Sequence, residues 1–373
     1  MLKRIYVNNY KSLVNFEIAL GSIELLLGRN GAGKSALFET LHKLRTFISV
    51  DAKVDIFEPE SCTRWQDVPE QTFELDLDLA GHTYRYVLVV EHDPPRRLQR
   101  VLREQLLYDG AKLFSFETGE VQLYRDNFSE GPAYPFDWSQ SALATIRARP
   151  DNTHLTEFKE AIERILIVMP IPQLMQRLAE AGVEPPSLHM EDFTSWYLHL
   201  SKNQGFVLSL TSDLKDVLPG FSHFAFRDFS DRQSKLQVVF SEGRTGIAYD
   251  FAELSEGQRM LMALYTILNL ARNDRTRPLI ACIDEPDNFV ALREIQPWLM
   301  AMEEAADEFA AQFILISHHP ESIDYLLSSP VGRWFERDNG FSPTRVWRME
   351  QISNEDALPA SDLIARGWID ARG

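Results

Sequence analysis

At positions 28–35 the chain contains the stretch that decides its expected fold, Gly28-Arg29-Asn30-Gly31-Ala32-Gly33-Lys34-Ser35. It matches the pattern G-x-x-x-x-G-K-[ST] in full, with a short apolar run before it and a segment of helical pattern, Ala36 to Leu44, after it. Glycines let the backbone curl so that successive N–H groups face an anion, and a helix N-terminus adds partial positive charge. The stretch therefore predicts a loop that binds nucleotide phosphates.

This loop predicts two cofactors, ATP and Mg²⁺. Lys34 is expected to reach the β- and γ-phosphates, and the Ser35 hydroxyl is expected to ligate Mg²⁺. Nucleotide contacts are expected from seven consecutive residues: Asn30, Gly31, Ala32, Gly33, Lys34, Ser35 and Ala36.

Three short apolar runs precede polar residues: Ile23–Leu27, Leu279–Ile283 and Phe313–Ile316. Runs of this kind are typical of buried strands in a parallel sheet, and ligands of such sheets gather at the carboxyl ends of the strands. The runs therefore predict an α/β fold with its ligand site where the polar residues fall.

A long insertion separates the first run from the second. Alternating residues between Thr72 and Arg125 predict antiparallel strands, with hairpin turns at Gly81 and Gly110. The stretch from Asn152 to Leu218 is mostly helical in pattern, and a strand pair is expected at Gln237–Phe240 and Gly246–Tyr249. One helical repeat is formed by Phe158, Ile162, Ile165 and Leu166. We expect three parts: an N-terminal head part with the antiparallel region (1–150), a helical lobe (151–220) and a C-terminal head part (221–373).

The net charge of −17 bears on the ligands that the chain can bind. Proteins that bind nucleic acid are usually basic, so any such binding must use local positive charge or a partner. One basic cluster exists, formed by Arg96, Arg97, Arg100 and Arg103. It is either a solvated face or a set of phosphate contacts. With two distant cysteines, no apolar membrane-spanning run and no signal peptide, a cytoplasmic protein without membrane contact is expected.

A second motif follows the run that ends at Ile283. Asp284 and Glu285 are adjacent carboxylates at the end of this strand. Such a pair is often a solvated loop, but beside a phosphate-binding loop it suits Mg²⁺ ligation by Asp284 and activation of water by Glu285.

The stretch Leu254-Ser255-Glu256-Gly257-Gln258-Arg259 precedes a helical apolar segment, Leu261 to Leu270. As Ser-x-x-Gln it is a common capping box, which by itself explains the pattern. It also resembles the signature motif of ABC ATPases. That resemblance implies that Ser255, Gly257 and Gln258 belong to a nucleotide site completed by a second subunit, where the serine and glycine contact the γ-phosphate.

The segment Ile316-Ser317-His318-His319-Pro320-Glu321 resembles the switch-histidine segment of the same ATPases. The resemblance assigns His318 to sensing of the γ-phosphate and leaves His319 as a neighbour without a role.

The opening, from Tyr6 to Phe16, resembles the first strand of RecF-like, SMC-like and OLD-type ATPases, and through it the adenine or ribose contacts carry over to Lys11 and Ser12. The chain thus resembles compact AAA-family ATPases of bacterial genome-maintenance and anti-phage defence loci. The resemblance implies an ABC-type P-loop NTPase fold with a mixed core sheet, an antiparallel β subdomain and an inserted helical lobe. It also implies ATP hydrolysis and a homodimer formed on ATP binding.

The sequence departs from these relatives at three points. The glutamine that links nucleotide to the lobe has no clear counterpart, with Gln66 as the only suggestion. Phe289 stands where relatives favour glycine, and Ala291 where they favour Asp or His. These two changes bear on communication between subunits and on the hydrolysis rate.

Two roles stay open. There is no Cys-x-x-Cys hook or heptad arm, and only about fifty residues follow His318, fewer than the nuclease domain of OLD-type proteins needs. A separate effector protein, a nuclease or a toxin, is therefore expected. In the first role the ATP-bound dimer acts on nucleic acid with that partner, in defence or repair. In the second it is a regulatory scaffold that controls the partner without touching nucleic acid. The RecF-like start disfavours a third role, energising membrane transport.

Overall fold

The computed structural model describes residues 1–50, 52–93, 98–180, 185–242, 245–273, 277–349 and 359–367. Contacts divide the chain into two compact units. Unit 1 comprises Met1–Ile165 and Gly332–Met349, and unit 2 comprises Leu166–Val331 with the described part of Glu350–Gly373.

The first half of the chain contains β1 (Leu2–Asn8), β2 (Phe16–Ala19), β3 (Ile23–Gly28), α1 (Lys34–Ser49), β4 (Glu70–Leu79), β5 (His82–Asp93), β6 (Leu98–Tyr108), β7 (Ala111–Glu117), β8 (Glu120–Tyr124), β9 (Glu130–Pro135), α2 (Ala142–Thr145), α3 (Thr153–Glu163) and β10 (Ile165–Val168). The second half contains β11 (Leu178–Ala179), α4 (Phe193–Leu200), α5 (Gln204–Val217), β12 (Phe221–Ser230), β13 (Gln233–Glu242), β14 (Thr245–Asp250), α6 (Glu256–Asn273), β15 (Ile280–Asp284), α7 (Leu292–Phe309), β16 (Gln312–Ile316), α8 (Pro320–Leu326), β17 (Gly332–Glu336), β18 (Arg345–Arg348) and α9 (Ala360–Ala365).

Unit 1 contains an eight-stranded antiparallel sheet in the order β2-β1-β4-β5-β6-β7-β8-β9. In β4 the alternation seen in the sequence buries Phe73, Leu75 and Leu77. The acidic residues between them face the other side, where Arg4 and Arg85 pair with Glu74 and Asp76. The antiparallel β subdomain is therefore confirmed.

The phosphate-loop side of unit 1 is built on three strands. β17 pairs in parallel with β3 and antiparallel with β18, so this part of the sheet is mixed. Helix α1 follows β3 and buries Leu37, Leu41, Leu44 and Ile48, which recur at helical spacing. The predicted order of strand, loop and helix around residues 28–35 is confirmed.

Unit 2 contains the parallel pair β15 and β16 and the antiparallel strands β12, β13 and β14. Every residue of β15 and β16 is buried, as expected from their apolar runs. Helix α6 packs on α7, and the Trp298 indole N–H donates to the Leu264 carbonyl at 3.2 Å.

One part of the sequence interpretation needs correction. The helical repeat ends earlier than expected, because α3 stops at Glu163 and Ile165 and Leu166 begin the buried strand β10. The stretch from Asn152 to Leu218, for which a mostly helical pattern is predicted, contains α3, α4 and α5 together with the short strands β10 and β11. A four-residue apolar strand directly after a helix continues the helical spacing, so periodicity alone does not separate the two. The division into 1–150, 151–220 and 221–373 stays a prediction.

Candidate functional site

The loop at residues 28–33 depends on glycine for two separate reasons. Gly28 has φ +136° where β3 lies against β17, and a Cβ there would come within 2.1 Å of the Phe335 carbonyl oxygen. Gly31 has φ +79°, and a Cβ there would meet nothing within 4 Å, so this position needs glycine for conformation alone. The loop is therefore tight against its own unit at Gly28 and open at Gly31.

Lys34 lies at the start of α1 and is only 6% exposed. Its ammonium donates to the Gly28 carbonyl at 2.6 Å and to the Arg29 carbonyl at 3.3 Å. The charge is thus held over the loop at the helix N-terminus, where backbone N–H groups and the helix dipole favour an anion. Asn30, Gly31 and Ser35 are exposed beside it, whereas Ala32 and Ala36 are buried.

Lys11 and Ser12 lie in the turn between β1 and β2. Lys11 forms an ion pair with Glu39 of α1, and the buried Tyr10 hydroxyl donates to the same carboxylate at 2.7 Å. Partial burial opposes ionisation of Glu39, but the hydrogen bonds from Lys11 and Tyr10 outweigh it and lower the pKa of this carboxyl. Ser12 is buried, and its hydroxyl lies 2.8 Å from that of Thr344. The roles of Lys11 and Ser12 in nucleotide binding stay predictions.

In unit 2, Asp284 ends β15 and is 8% exposed. Glu285 follows it with φ +53°, a left-handed conformation that is uncommon for a residue other than glycine. Its backbone N–H donates to the Ile316 carbonyl at the end of β16, at 2.8 Å, and its carboxylate accepts from the Asn288 amide. Backbone strain of this kind persists where surrounding contacts hold it, and it concentrates at functional sites.

Asp287 connects the loops that follow β15 and β16. Its carboxylate accepts hydrogen bonds from the hydroxyls of Ser317 and Ser322, and all three side chains are buried. The Ser317 hydroxyl also accepts from the backbone N–H of His319 at 3.0 Å. Sequence reasoning missed this cluster, because a serine three residues inside α8 carries no motif signal.

The predicted switch histidine lies beside these loops. His318 directly follows Ser317 and is exposed, while His319 is half-buried and precedes α8. Parallel pairing matches Asp284 with Ile316, so the structure brings Asp284, Glu285 and the histidine segment to one edge of unit 2. The role of His318 stays a prediction.

The segment around Ser255 begins α6. The Ser255 hydroxyl accepts from the Gln258 N–H at 3.2 Å, and the Gln258 side chain accepts from the Ser255 N–H at 3.1 Å. This reciprocal pair is the capping box that the sequence predicts. Gly257 lies so close to the next loop that a Cβ would come within 2.7 Å of the Phe289 carbonyl oxygen. Phe289 has φ +70° and is 47% exposed.

The structure describes two arginines of the basic cluster and the glutamine suggested as the link between nucleotide and lobe. In the basic cluster, Arg96 and Arg97 lie outside the described residues, Arg100 pairs with Glu91, and Arg103 is exposed. Gln66 is half-buried, and its N–H donates to the Thr63 carbonyl at 3.1 Å.

Metal binding by this chain would rely on few protein ligands. Among the described residues, no group of three or more His, Cys, Asp and Glu side chains is placed to hold a metal ion. Mg²⁺ suits such a donor set, because it keeps several waters and binds through one or two protein oxygens together with substrate phosphates. The predicted Mg²⁺ ligands are Ser35, which is exposed in unit 1, and Asp284, which ends β15 in unit 2, and their role as ligands stays a prediction. No helix in the described ranges is long and apolar enough to cross a membrane.

Solved structures with a similar fold include an SMC head domain. The SMC head domain from Thermotoga maritima matches with a TM-score of 0.50 and 13% identity, over 94% of this chain and 99% of that one. The recombination mediator protein RecF-ATPrS in the RecFOR pathway matches with a TM-score of 0.45 and 11% identity, over 92% of this chain and 98% of that one. No curated protein matches the sequence.

The sequence also matches a family profile over residues 25–324, a range that includes all four motifs described above. The family is described as "AAA domain, putative AbiEii toxin, Type IV TA system". Since the match covers more than half of the chain, the protein belongs to this AAA-domain family, and its fold is similar to that of an SMC head domain.

Proposed function

We propose that the chain binds and hydrolyses ATP in the cytoplasm and dimerises around the nucleotide. The observation that carries the proposal is Lys34, a buried ammonium held over a glycine loop at a helix N-terminus. Burial of a charge is costly unless hydrogen bonds satisfy it, and two loop carbonyls accept from this one. The arrangement is therefore suited to exchange carbonyl partners for phosphate oxygens.

The remaining residues have roles that follow from their chemistry. Ser35 and Asp284 would hold Mg²⁺, which when bound neutralises charge that develops on the phosphates. The backbone N–H groups at the start of α1 bind the phosphates, and Lys34 binds the β- and γ-phosphates. Lys11 and Ser12 are assigned to the nucleoside side.

Glu285 is proposed as the base that orients the attacking water. Its carboxylate is held by Asn288, and its backbone by the Ile316 carbonyl, so its position is fixed before substrate binds. Asp287 is a weaker candidate, since two serine hydroxyls already occupy its buried carboxylate. His318 is assigned to sensing of the γ-phosphate.

The dimer is proposed to place Ser255, Gly257 and Gln258 of each subunit on the nucleotide of the other, which makes two equivalent composite sites. ATP then stabilises the dimer, because part of its binding energy is realised only there.

We expect the Glu285→Gln protein with ATP and Mg²⁺ to be at least a dimer, and added Ser255→Arg to remove the ATP-dependent association. The new side chain places a bulky cation at the interface and also removes a helix cap, which costs about 1 kcal/mol of stability. Light scattering with and without nucleotide measures the effect. Ser255→Ala loses the same cap without the added bulk, and Ser230→Arg adds the same cation at an exposed serine of β12. Equal assembly by Ser255→Arg and its parent would place the motif outside the interface.

Two roles for the dimer are distinguished by nucleic-acid binding. The first is the motor or sensor subunit of an anti-phage defence or DNA repair system that works with a separate nuclease or toxin. The second is an ATP-switched scaffold that restrains such a partner without binding nucleic acid. The net charge of −17 favours the second role, and so does a family description that names a toxin–antitoxin system.

Titration of DNA and RNA with the Glu285→Gln protein, with and without ATP, separates these roles. In the first role, charge reversal at Arg100 and Arg103 weakens binding and flattens its salt dependence, because fewer counterions are released. In the second role, neither nucleic acid binds at physiological salt in either nucleotide state. An unchanged nucleic-acid binding isotherm for the charge-reversed protein would show that these arginines are ordinary surface charges.

A further inference from the structure

Thr344 is a buried threonine at the end of the connection between β17 and β18, 312 residues from the phosphate-binding loop along the chain. Its side chain is 4% exposed, and it lies beyond residues 25–324, the range that the family profile matches. Neither the motif residues nor the family match therefore assigns it a role.

The Thr344 hydroxyl joins two parts of the proposed nucleotide site. It lies 2.8 Å from the Ala32 carbonyl oxygen and 2.8 Å from the Ser12 hydroxyl. A carbonyl only accepts, so the Thr344 proton goes to Ala32, and the Ser12 hydroxyl supplies the proton of the second bond. The backbone N–H of Thr344 also donates to the Ser12 carbonyl at 2.8 Å. Three hydrogen bonds thus converge on one residue.

The same hydroxyl sets the space available at Gly33. A Cβ on Gly33 would lie 2.5 Å from Thr344 Oγ1 and 3.1 Å from Ser12 Oγ. The glycine before Lys34 is therefore required by this packing as well as by its φ of +108°. If the Thr344 hydroxyl were removed, the Ala32 carbonyl and the Ser12 hydroxyl would each lose a hydrogen-bond partner. Both residues are buried, so water does not easily replace that partner.

Thr344 is itself held in place by its surroundings. β17 pairs with β3 up to Phe335 and Gly28, where the phosphate loop begins. In the connection that follows, Arg337 donates to the Ser342 carbonyl at 2.8 Å and stacks over the Trp65 ring at 5.0 Å. The connection is thus held by contacts of its own, and its last residue, Thr344, contacts the phosphate-binding loop.

We propose that Thr344 is a positioning residue that holds the phosphate loop and the Ser12 turn in their nucleotide-binding conformation. This inference rests on the proposed function for its effect on ATP. Its effect on the loop can be tested separately from nucleotide binding, because its contacts are to protein atoms of the loop and of the Ser12 turn.

Three variants test the proposal. Thr344→Val removes the hydroxyl and keeps the shape, and Thr344→Ser keeps the hydroxyl. Thr63→Val is the matched control, since Thr63 is similarly buried in unit 1 and its hydroxyl has no hydrogen-bond partner in the described structure. Two quantities are to be measured for each variant. The first is amide hydrogen exchange of a peptide covering residues 29–36 without nucleotide, and the second is the dissociation constant for ATP with Mg²⁺.

Thr344→Val is expected to exchange about tenfold faster in the 29–36 peptide and to bind ATP about tenfold more weakly. Thr344→Ser should restore both values to within about twofold, and Thr63→Val should match the wild type. Unchanged exchange in Thr344→Val would overturn the proposal. So would equal effects of Thr344→Ser and Thr344→Val, because Thr344→Ser keeps the hydroxyl and the effect would then not come from its loss. If the wild type binds no ATP, the proposed function fails, and the exchange measurement still decides the role of Thr344.

Discussion

A Lys34→Ala variant is expected to bind ATP at least about 100-fold more weakly than the wild type. Hydrogen bonds to charged groups contribute about 1.5–3 kcal/mol each, and loss of two of them accounts for that factor at about 1.4 kcal/mol per tenfold. Equilibrium binding of ATP with Mg²⁺ measures the change. Since Lys34 also donates to the Gly28 and Arg29 carbonyls, its removal leaves their oxygens short of a donor, and thermal unfolding must be followed in parallel.

Lys43→Ala is the matched control for this variant. Lys43 lies on the same helix, its side chain is 14% exposed, and it lies 3.7 Å from the carboxylates of Glu39 and Glu58. The substitution removes the same charge from α1 without touching the loop, so ATP affinity should be unchanged. Wild-type affinity in a folded Lys34→Ala protein would contradict the assignment of residues 28–35 as the phosphate-binding loop.

A Glu285→Gln variant is expected to bind ATP normally and to hydrolyse it about 100-fold to 10,000-fold more slowly. Removal of a positioned general base has an effect of this size. Glutamine keeps the shape of the side chain and an oxygen that accepts from Asn288, so the loop after β15 should retain its conformation. Steady-state phosphate release measures turnover, and equilibrium binding measures affinity.

Glu304→Gln makes the same change of charge at an exposed position of α7 in the same unit, and it should leave turnover unchanged. Wild-type turnover by Glu285→Gln would show that Glu285 is not the base. Asp287 would then be the next carboxylate to test, beginning with its contacts to Ser317 and Ser322.

The sequence predicts the elements that carry strong local signals. The phosphate loop is recognisable because its glycines, lysine and serine occur in one continuous stretch between a strand and a helix. The capping box at Ser255 is equally local, since hydroxyl and amide are three residues apart. Alternation in β4 predicts a half-buried strand, and the structure buries Phe73, Leu75 and Leu77 on its apolar face.

Other features depend on contacts between distant residues, which no local pattern reveals. Thr344 meets Ala32 only because β17 lies beside β3, and a single threonine carries no motif. The pairing of Asp287 with Ser317 and Ser322 arises from the parallel arrangement of β15 and β16. The helical prediction is wrong at Ile165–Val168, which is a strand, because an apolar run of four residues satisfies either period.

A single-turnover experiment with the wild-type protein in excess over radiolabelled ATP and Mg²⁺ tests the central claim most directly. We expect bound ATP to be converted to ADP and phosphate by the wild type, to stay intact on Glu285→Gln, and not to be retained by Lys34→Ala. Bound ATP that remains intact on the wild type as long as on Glu285→Gln would contradict hydrolysis. Retention of ATP by Lys34→Ala would contradict the site itself.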